Sequence, residues 1–203
     1  MYIKHKYLGI TDEDSKDGEF VYTITAANGY YQTRIGGLWR ALNARVGKGS
    51  YTNVCVDFKD FKEFAESVTI LANYKTLDSY GNHYHLDKDL KCYKKDKSYN
   101  KDSVLFIPGH LNTALKGVIP YLECGATCGV SFSKIRNKFR AYCNDGGSRQ
   151  IHLGYFESKE AAQKAWVLEK INQIKRSLIK ENISDEDILY FTGVLISDLE
   201  GGY

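Results

Sequence analysis

The chain predicts an α+β fold made of small sheets and amphipathic helices. Three observations carry that prediction. Strand-forming runs near the start are broken by Asn28-Gly29, and residues 83–115 read as strand, turn, strand, helix. Between Gly129 and Phe156 three alternating runs precede a long helical stretch.

The elements follow in order. Residues 19–35 are rich in β-branched and aromatic side chains around Asn28-Gly29, the strongest short hairpin signal. After Gly36-Gly37 the apolar residues of Leu38 to Val46 recur at helical spacing, and Gly47 and Gly49 stop that helix. Asp57 to Ala72 predicts a second amphipathic helix whose Phe58, Phe61 and Phe64 form a core stripe. His83 to Lys91 alternates as a strand, which puts His83, His85, Asp87 and Asp89 on one face and Tyr84, Leu86 and Lys88 on the other. Two imidazoles and two carboxylates in a row suit a divalent metal or acid/base chemistry, and they equally suit the polar face of a half-buried strand. A lysine-rich turn leads to a second strand, Ser103 to Ile107, and Pro108-Gly109 opens a short helix from His110 to Leu115.

The last folded part reads as strands at Gly129–Phe132, Lys138–Asn144 and Gln150–Phe156, with Asn144-Asp145-Gly146-Gly147 turning between the latter two. On the second strand Phe139, Ala141 and Cys143 oppose Lys138, Arg140 and Tyr142, and on the third Ile151 and Leu153 oppose Gln150 and His152. One face is apolar and the other basic and aromatic. Ser158 caps a helix from Lys159 to Lys180, expected to cover the apolar face with Ala161, Ala165, Leu168, Asn172, Trp166, Ile171 and Ile174.

Composition bounds the function. The chain has 203 residues, 43% hydrophobic and 26% charged, enough for one large or two small domains with real cores. No uncharged apolar run approaches a membrane span, and the start, Met1 to Leu8, has no apolar leader core, so secretion and membrane insertion are disfavoured. The five cysteines, Cys55, Cys92, Cys124, Cys128 and Cys143, are an odd, scattered set. They read as reduced thiols in a cytoplasm rather than a disulfide framework or a zinc site. The formal charge of +3 is unevenly spread: residues 125–180 carry 11 Lys and Arg against 4 acids, while 181–203 carry 6 acids and no Lys or Arg. Such asymmetry suggests a polyanion-binding surface beside an acidic end. Without linkers or repeats, boundaries come from the elements: an N-terminal α+β region (1–82), the strand–strand–helix unit (83–117), the sheet and helix (118–180), and an acidic helix or tail (181–203). In the tail, Ile188, Leu189, Phe191, Leu195 and Ile196 can pack a final helix after Ser184-Asp-Glu-Asp.

Arg136, Lys138, Arg140, Tyr142, Arg149 and His152 cluster on the basic face, where arginine and lysine can neutralise phosphates or pair with guanine edges. Gly129-Val130, Asn137 to Ala141 and Leu153 to Ala162 together resemble the AP2 DNA-binding domain, which implies a three-stranded sheet laid into the major groove of double-stranded DNA. The reading positions differ from those of plant members, so no target sequence transfers. Adding Leu86-Asp87-Lys88-Asp89, Tyr99, Val104 to Pro108 and Leu111-Asn112, with Leu8-Gly9-Ile10, Trp39, Arg40, Arg45 and the 51–64 region upstream, the chain is similar to phage-encoded HNH homing-type endonucleases over about residues 7–180.

That resemblance implies a ββα-metal (HNH-like) unit performing metal-assisted phosphodiester hydrolysis with Mg²⁺ or Mn²⁺, in a host cytoplasm. Position by position, Asp87 is the first metal ligand and Asn112 the helix ligand, while Lys88 stands where the general-base histidine would be. Ser103 replaces the loop-bracing asparagine. A lysine with an ordinary pKa of about 10.4 is a poor base near neutrality. His85, on the Asp87 face, is the alternative base, and Asp89 can join the metal shell. His110, about 200° round a helix from Asn112, cannot easily face the same ion. Two further readings differ in class: a catalytically degenerate HNH protein that binds DNA without cutting, and an interaction protein working through the acidic tail.

Overall fold

The computed structural model describes residues 2–7, 20–25, 29–30, 34–95, 98–145 and 149–201. Leu8-Gly9-Ile10, Asn28 of the first expected turn and Gly146-Gly147 of the second lie outside them. In chain order the elements are β1 (Tyr2–Tyr7), β2 (Phe20–Thr25), β3 (Gly29–Tyr30), α1 (Arg34–Arg45), β4 (Cys55–Val56) and α2 (Phe61–Val68). Then come β5 (His85–Asp87), β6 (Ser98–Tyr99), β7 (Leu105–Ile107), α3 (Gly109–Leu115) and α4 (Val118–Cys124). The chain closes with β8 (Val130–Ser133), β9 (Lys138–Asn144), β10 (Gln150–Phe156), α5 (Lys159–Lys180) and α6 (Glu186–Gly201). This is an α+β protein with small sheets, two of those among the described residues being three-stranded and antiparallel. Among the described residues no helix is long and apolar enough to cross a membrane.

One compact unit holds residues 1–74 and 95–105. β1 and β2 pair antiparallel from Tyr2↔Thr25 to Tyr7↔Phe20, and β3 joins through Thr23↔Tyr30. α1 starts at Arg34, earlier than Leu38, and takes Gly36 and Gly37 into its first turns. Each helical glycine costs about 1 kcal/mol against alanine, and burial of Ile35 and Leu42 offsets that. α2 is shorter than expected. Asp60 accepts the Glu63 N–H at 2.9 Å, the Glu63 carboxylate accepts the Lys59 N–H at 2.6 Å, and the helix ends at Val68 rather than Ala72. The phenylalanine stripe is core: Phe58 meets Phe64 edge to face at 5.2 Å, and Trp39 lies 5.1 Å from Phe64. β4 and β6 pair in parallel. After β6, Asn100 Oδ1 accepts the N–H groups of Asp102 and Ser103, and the Ser103 hydroxyl donates to the Ser98 carbonyl at 2.6 Å. These bonds from Asn100 and Ser103 close the turn between β6 and β7.

The second unit holds residues 75–94 and 106–203. Asp78 accepts N–H groups from Tyr80 and Asn82, tying a tight loop ahead of β5. β5 pairs with β7 as a two-stranded ribbon, and α3 follows β7 after Pro108. β9 is central in the β10–β9–β8 sheet, and β8 starts at Val130, one residue later than Gly129. Gly129, at φ +63°, must be glycine: a Cβ there would stand 2.2 Å from both the Trp166 ring and the Tyr142 carbonyl oxygen. α5 spans the residues expected, and Ser158 accepts the Ala161 N–H at 3.0 Å. Its covering face agrees with the one expected only in part: Trp166, Ile171 and Ile174 are buried as expected, joined by Ala162, Val167 and Lys170, whereas Leu168, Ala161 and Asn172 are exposed. Val118, Cys143, Trp166, Val167, Ile171 and Leu199 form the core of this region. Fully burying each large side chain there is worth about 1.5–3 kcal/mol. α6 is capped by Asp185, which accepts the Ile188 N–H at 3.0 Å, and it buries Ile188, Leu195 and Leu199 while Leu189 stays exposed.

Candidate functional site

The ribbon and α3 gather most of the expected chemistry. The strand predicted over 83–91 is in fact His85–Asp87, so Asp89 falls outside it and the expected alternation fails. Asp87 and Lys88 are both buried although they point from neighbouring positions, and His85 is exposed. The physical cause is a cap. Asp87 Oδ2 accepts the Leu90 N–H at 2.9 Å, and the chain leaves the strand into a helical turn closed by the Cys92 N–H to the Lys88 carbonyl at 3.0 Å.

Asp87 is 6% exposed. Desolvation pushes its carboxyl up to about 7, with the neighbouring Asp89 adding to the rise, while the Leu90 N–H and the Lys88 charge oppose it. Lys88 is 2% exposed, and its ammonium donates to the Asp89 carboxylate. An ammonium has no electron pair with which to accept a proton.

His85 lies against the start of α3. A Cβ built on Gly109 would stand 3.0 Å from its Cε1 and Nε2 atoms, so glycine is what lets the imidazole approach this closely. Asn112 is three residues further along α3 and therefore on the same side of it as Gly109. His110 points elsewhere, with Nε2 3.3 Å from Glu181 Oε1 and the Tyr80 ring 6.3 Å away edge to face. α3 itself is tied to α5 by Lys170, a buried lysine whose ammonium donates to the Ala114 carbonyl at 3.0 Å. Burial lowers the pKa of that ammonium. Sequence reading missed this lysine, because a charge inside an amphipathic helix reads as surface.

Among the described residues no three or more His, Cys, Asp or Glu side chains are grouped to hold a metal ion. The Asp87 carboxylate and Asn112 amide are hard oxygen donors of the kind Mg²⁺ and Mn²⁺ prefer, and Mg²⁺ ordinarily keeps several waters beside one or two protein ligands.

The second cluster is the open face of the three-stranded sheet. Cross-strand pairing sets Ser131, Arg140 and Tyr155 in one row, and Tyr142 beside His152 in the next. The Arg140 guanidinium lies 4.9 Å from the Tyr142 ring centre, and the Arg136 guanidinium 4.7 Å from that of Tyr155, whose ring is 4.8 Å from His152. Lys138 pairs with Glu157 at 2.7 Å, and Arg149 is exposed at the end of β10. Buried Arg140 Nε has no hydrogen-bond partner among the described residues. Tyr155 is a surface residue that straight alternation hides. The register shifts between His152 and Gly154, so Leu153 is a bulge and Tyr155 returns to the His152 face. The glycine inside the strand was the available signal.

No family model matches this chain, and neither curated proteins nor solved structures yielded a match.

Proposed function

We propose that the chain is a metal-dependent DNA endonuclease or nickase of HNH type, with the β8–β9–β10 sheet as an AP2-like surface that chooses the site on double-stranded DNA. The observation that carries this reading is the buried Asp87 at the end of the first strand of a strand–strand–helix unit, with His85 drawn onto the Asn112 side of the helix. Asp87 and Asn112 would hold a divalent ion, which when bound supplies charge to polarise the scissile phosphate. His85, exposed and beside α3, takes the proton of the attacking water at Nε2, the office for which the lysine at 88 is unsuited. Lys88 instead neutralises Asp89, leaving that carboxylate a partner of the cation rather than of the metal. Arg136, Lys138, Arg140, Tyr142, Arg149, His152 and Tyr155 bind the duplex through phosphates and base edges.

The Lys88–Asp89 pair also favours a second reading, a DNA-binding protein without cleavage. Incubating the protein with supercoiled DNA and Mg²⁺ or Mn²⁺ separates them. Nicked or linear product, lost with EDTA and in Asp87→Ala, supports the nuclease. A salt-sensitive gel shift without metal-dependent product would replace it with the binding protein.

A further inference from the structure

The turn that joins β8 to β9, Lys134-Ile135-Arg136-Asn137, carries an isoleucine that is 99% exposed, the most exposed large apolar side chain among the described residues. A lone apolar residue on a surface is ordinary, so its surroundings decide what this one means. From Gly125 to Asn144 the chain has no acidic residue, and Lys134, Arg136, Lys138 and Arg140 all fall in that stretch. Lys134 and Arg136, the chain neighbours of Ile135, are both exposed. At this end of the sheet Glu157 is already matched by Lys138 at 2.7 Å.

The tip stands on a paired base. Ser133 is opposite Lys138 and Phe132 opposite Phe139, and those two rings meet edge to face at 5.1 Å. Asn137 closes the turn at φ +49°, a left-handed value that asparagine tolerates better than most side chains. The Arg136 guanidinium lies 4.7 Å from the centre of the Tyr155 ring, which makes the tip continuous with the basic, aromatic face of the sheet. An apolar side chain flanked by cations suits two polyanionic surfaces, a nucleic-acid duplex and an anionic bilayer. A bilayer interface takes up a broad apolar face. The space opened between two base pairs takes a single wedge, with phosphates on either side for the flanking cations.

We propose that Ile135 is such a wedge: with the β8–β9–β10 face on double-stranded DNA, its side chain enters between stacked base pairs and bends the duplex, while Lys134 and Arg136 hold phosphates beside it. The proposal rests on the reading of the sheet as a DNA surface and is independent of cleavage. Unstacking is easiest at pyrimidine–purine steps, so the wedge favours TA and CA steps without a hydrogen bond to any base. The test uses the full chain in EDTA, which keeps cleavage silent, and a duplex of about 30 base pairs with 2-aminopurine replacing the adenines of its TA steps. Anisotropy reads binding, and 2-aminopurine fluorescence, which rises on unstacking, reads insertion. The parent should bind with a rise in fluorescence. Ile135→Ala, at an exposed turn position where substitution leaves the fold intact, should lose the rise and keep the slope of log affinity against log salt. Ile135→Leu should retain the rise, and Lys134→Ala should lower the slope by about one while keeping it. Salt-sensitive binding with no rise in the parent, or an undiminished rise in Ile135→Ala, would overturn the wedge and leave the DNA-binding sheet standing. Absence of salt-sensitive duplex binding would remove both. Ile135-dependent binding to vesicles of phosphatidylcholine and phosphatidylserine, with no duplex binding, would assign the tip to a bilayer instead.

Discussion

The β5–β7 ribbon and the β8–β9–β10 sheet handle charge in opposite ways. The sheet keeps Lys138, Arg140 and His152 on its open face and buries Ala141 and Cys143 behind them. The ribbon buries an aspartate and a lysine at consecutive positions. The difference lies in length. Seven-residue strands held by a ladder on both sides of β9 fix which face each residue takes. A three-residue strand ending in a capping aspartate does not, and the turn that follows decides what is covered. A long ladder therefore yields a broad exposed surface suited to a polyanion, and a short one leaves a single carboxyl enclosed enough to be chemically altered.

That contrast can be broken most severely at Gly129. Gly129→Ala forces a side chain into Trp166 and the Tyr142 carbonyl at a left-handed φ, and should cost about 5 kcal/mol. Urea unfolding measures it, and a change under about 1 kcal/mol would show that the sheet does not depend on this approach.

The next effect belongs to Asp87. Its native carboxyl titrates near 7, far above the unfolded value of 3.8, so the unfolded chain ionises first as pH rises. The protein thus loses stability between about pH 4 and pH 7, by about 4 kcal/mol at most, and stays level above. Asp87→Asn keeps an acceptor for the Leu90 N–H and removes the titration. It should gain up to about 4 kcal/mol over the parent at pH 8 and nothing near pH 3.5. A gain independent of pH would mean that the ribbon does not enclose this carboxyl.

On the sheet face, Arg140→Ala should weaken duplex binding about tenfold and lower the slope of log affinity against log salt by about one, as read by fluorescence anisotropy. An unchanged slope would remove Arg140 from the interface. The smallest effect is at the shared support: Ser158→Ala should cost about 1 kcal/mol by removing the cap of α5, visible as a lower melting temperature.

Much of the sheet region was legible because its signals are local. Ser158 announced the start of α5, and the β9 faces followed from alternation. The covering face of α5 was legible only in part: Trp166, Ile171 and Ile174 are buried as expected, but apolar residues line more than one side of the helix, so Leu168 and Ile179 are exposed while Lys170 and Gln173 are buried. Tyr155 was hidden by a bulge that shifts the count by one. In the ribbon, residue types at Asp87, Lys88 and His85 marked a site, but their faces were misassigned because the strand ends where its aspartate caps the next turn.

By itself the sequence determined the α+β class, the placing of the strands and helices from β8 to α6, the Ser158 cap of α5, and which residue types stand together near positions 85–89 and 136–152. These depend on interactions between residues a few positions apart. Only the tertiary structure decided that Asp87 is buried, that His85 rests on Gly109, and that Lys170 reaches the end of α3. Those facts depend on which distant segments exclude water from a side chain, and desolvation is a property of the packed whole rather than of any local run of residues.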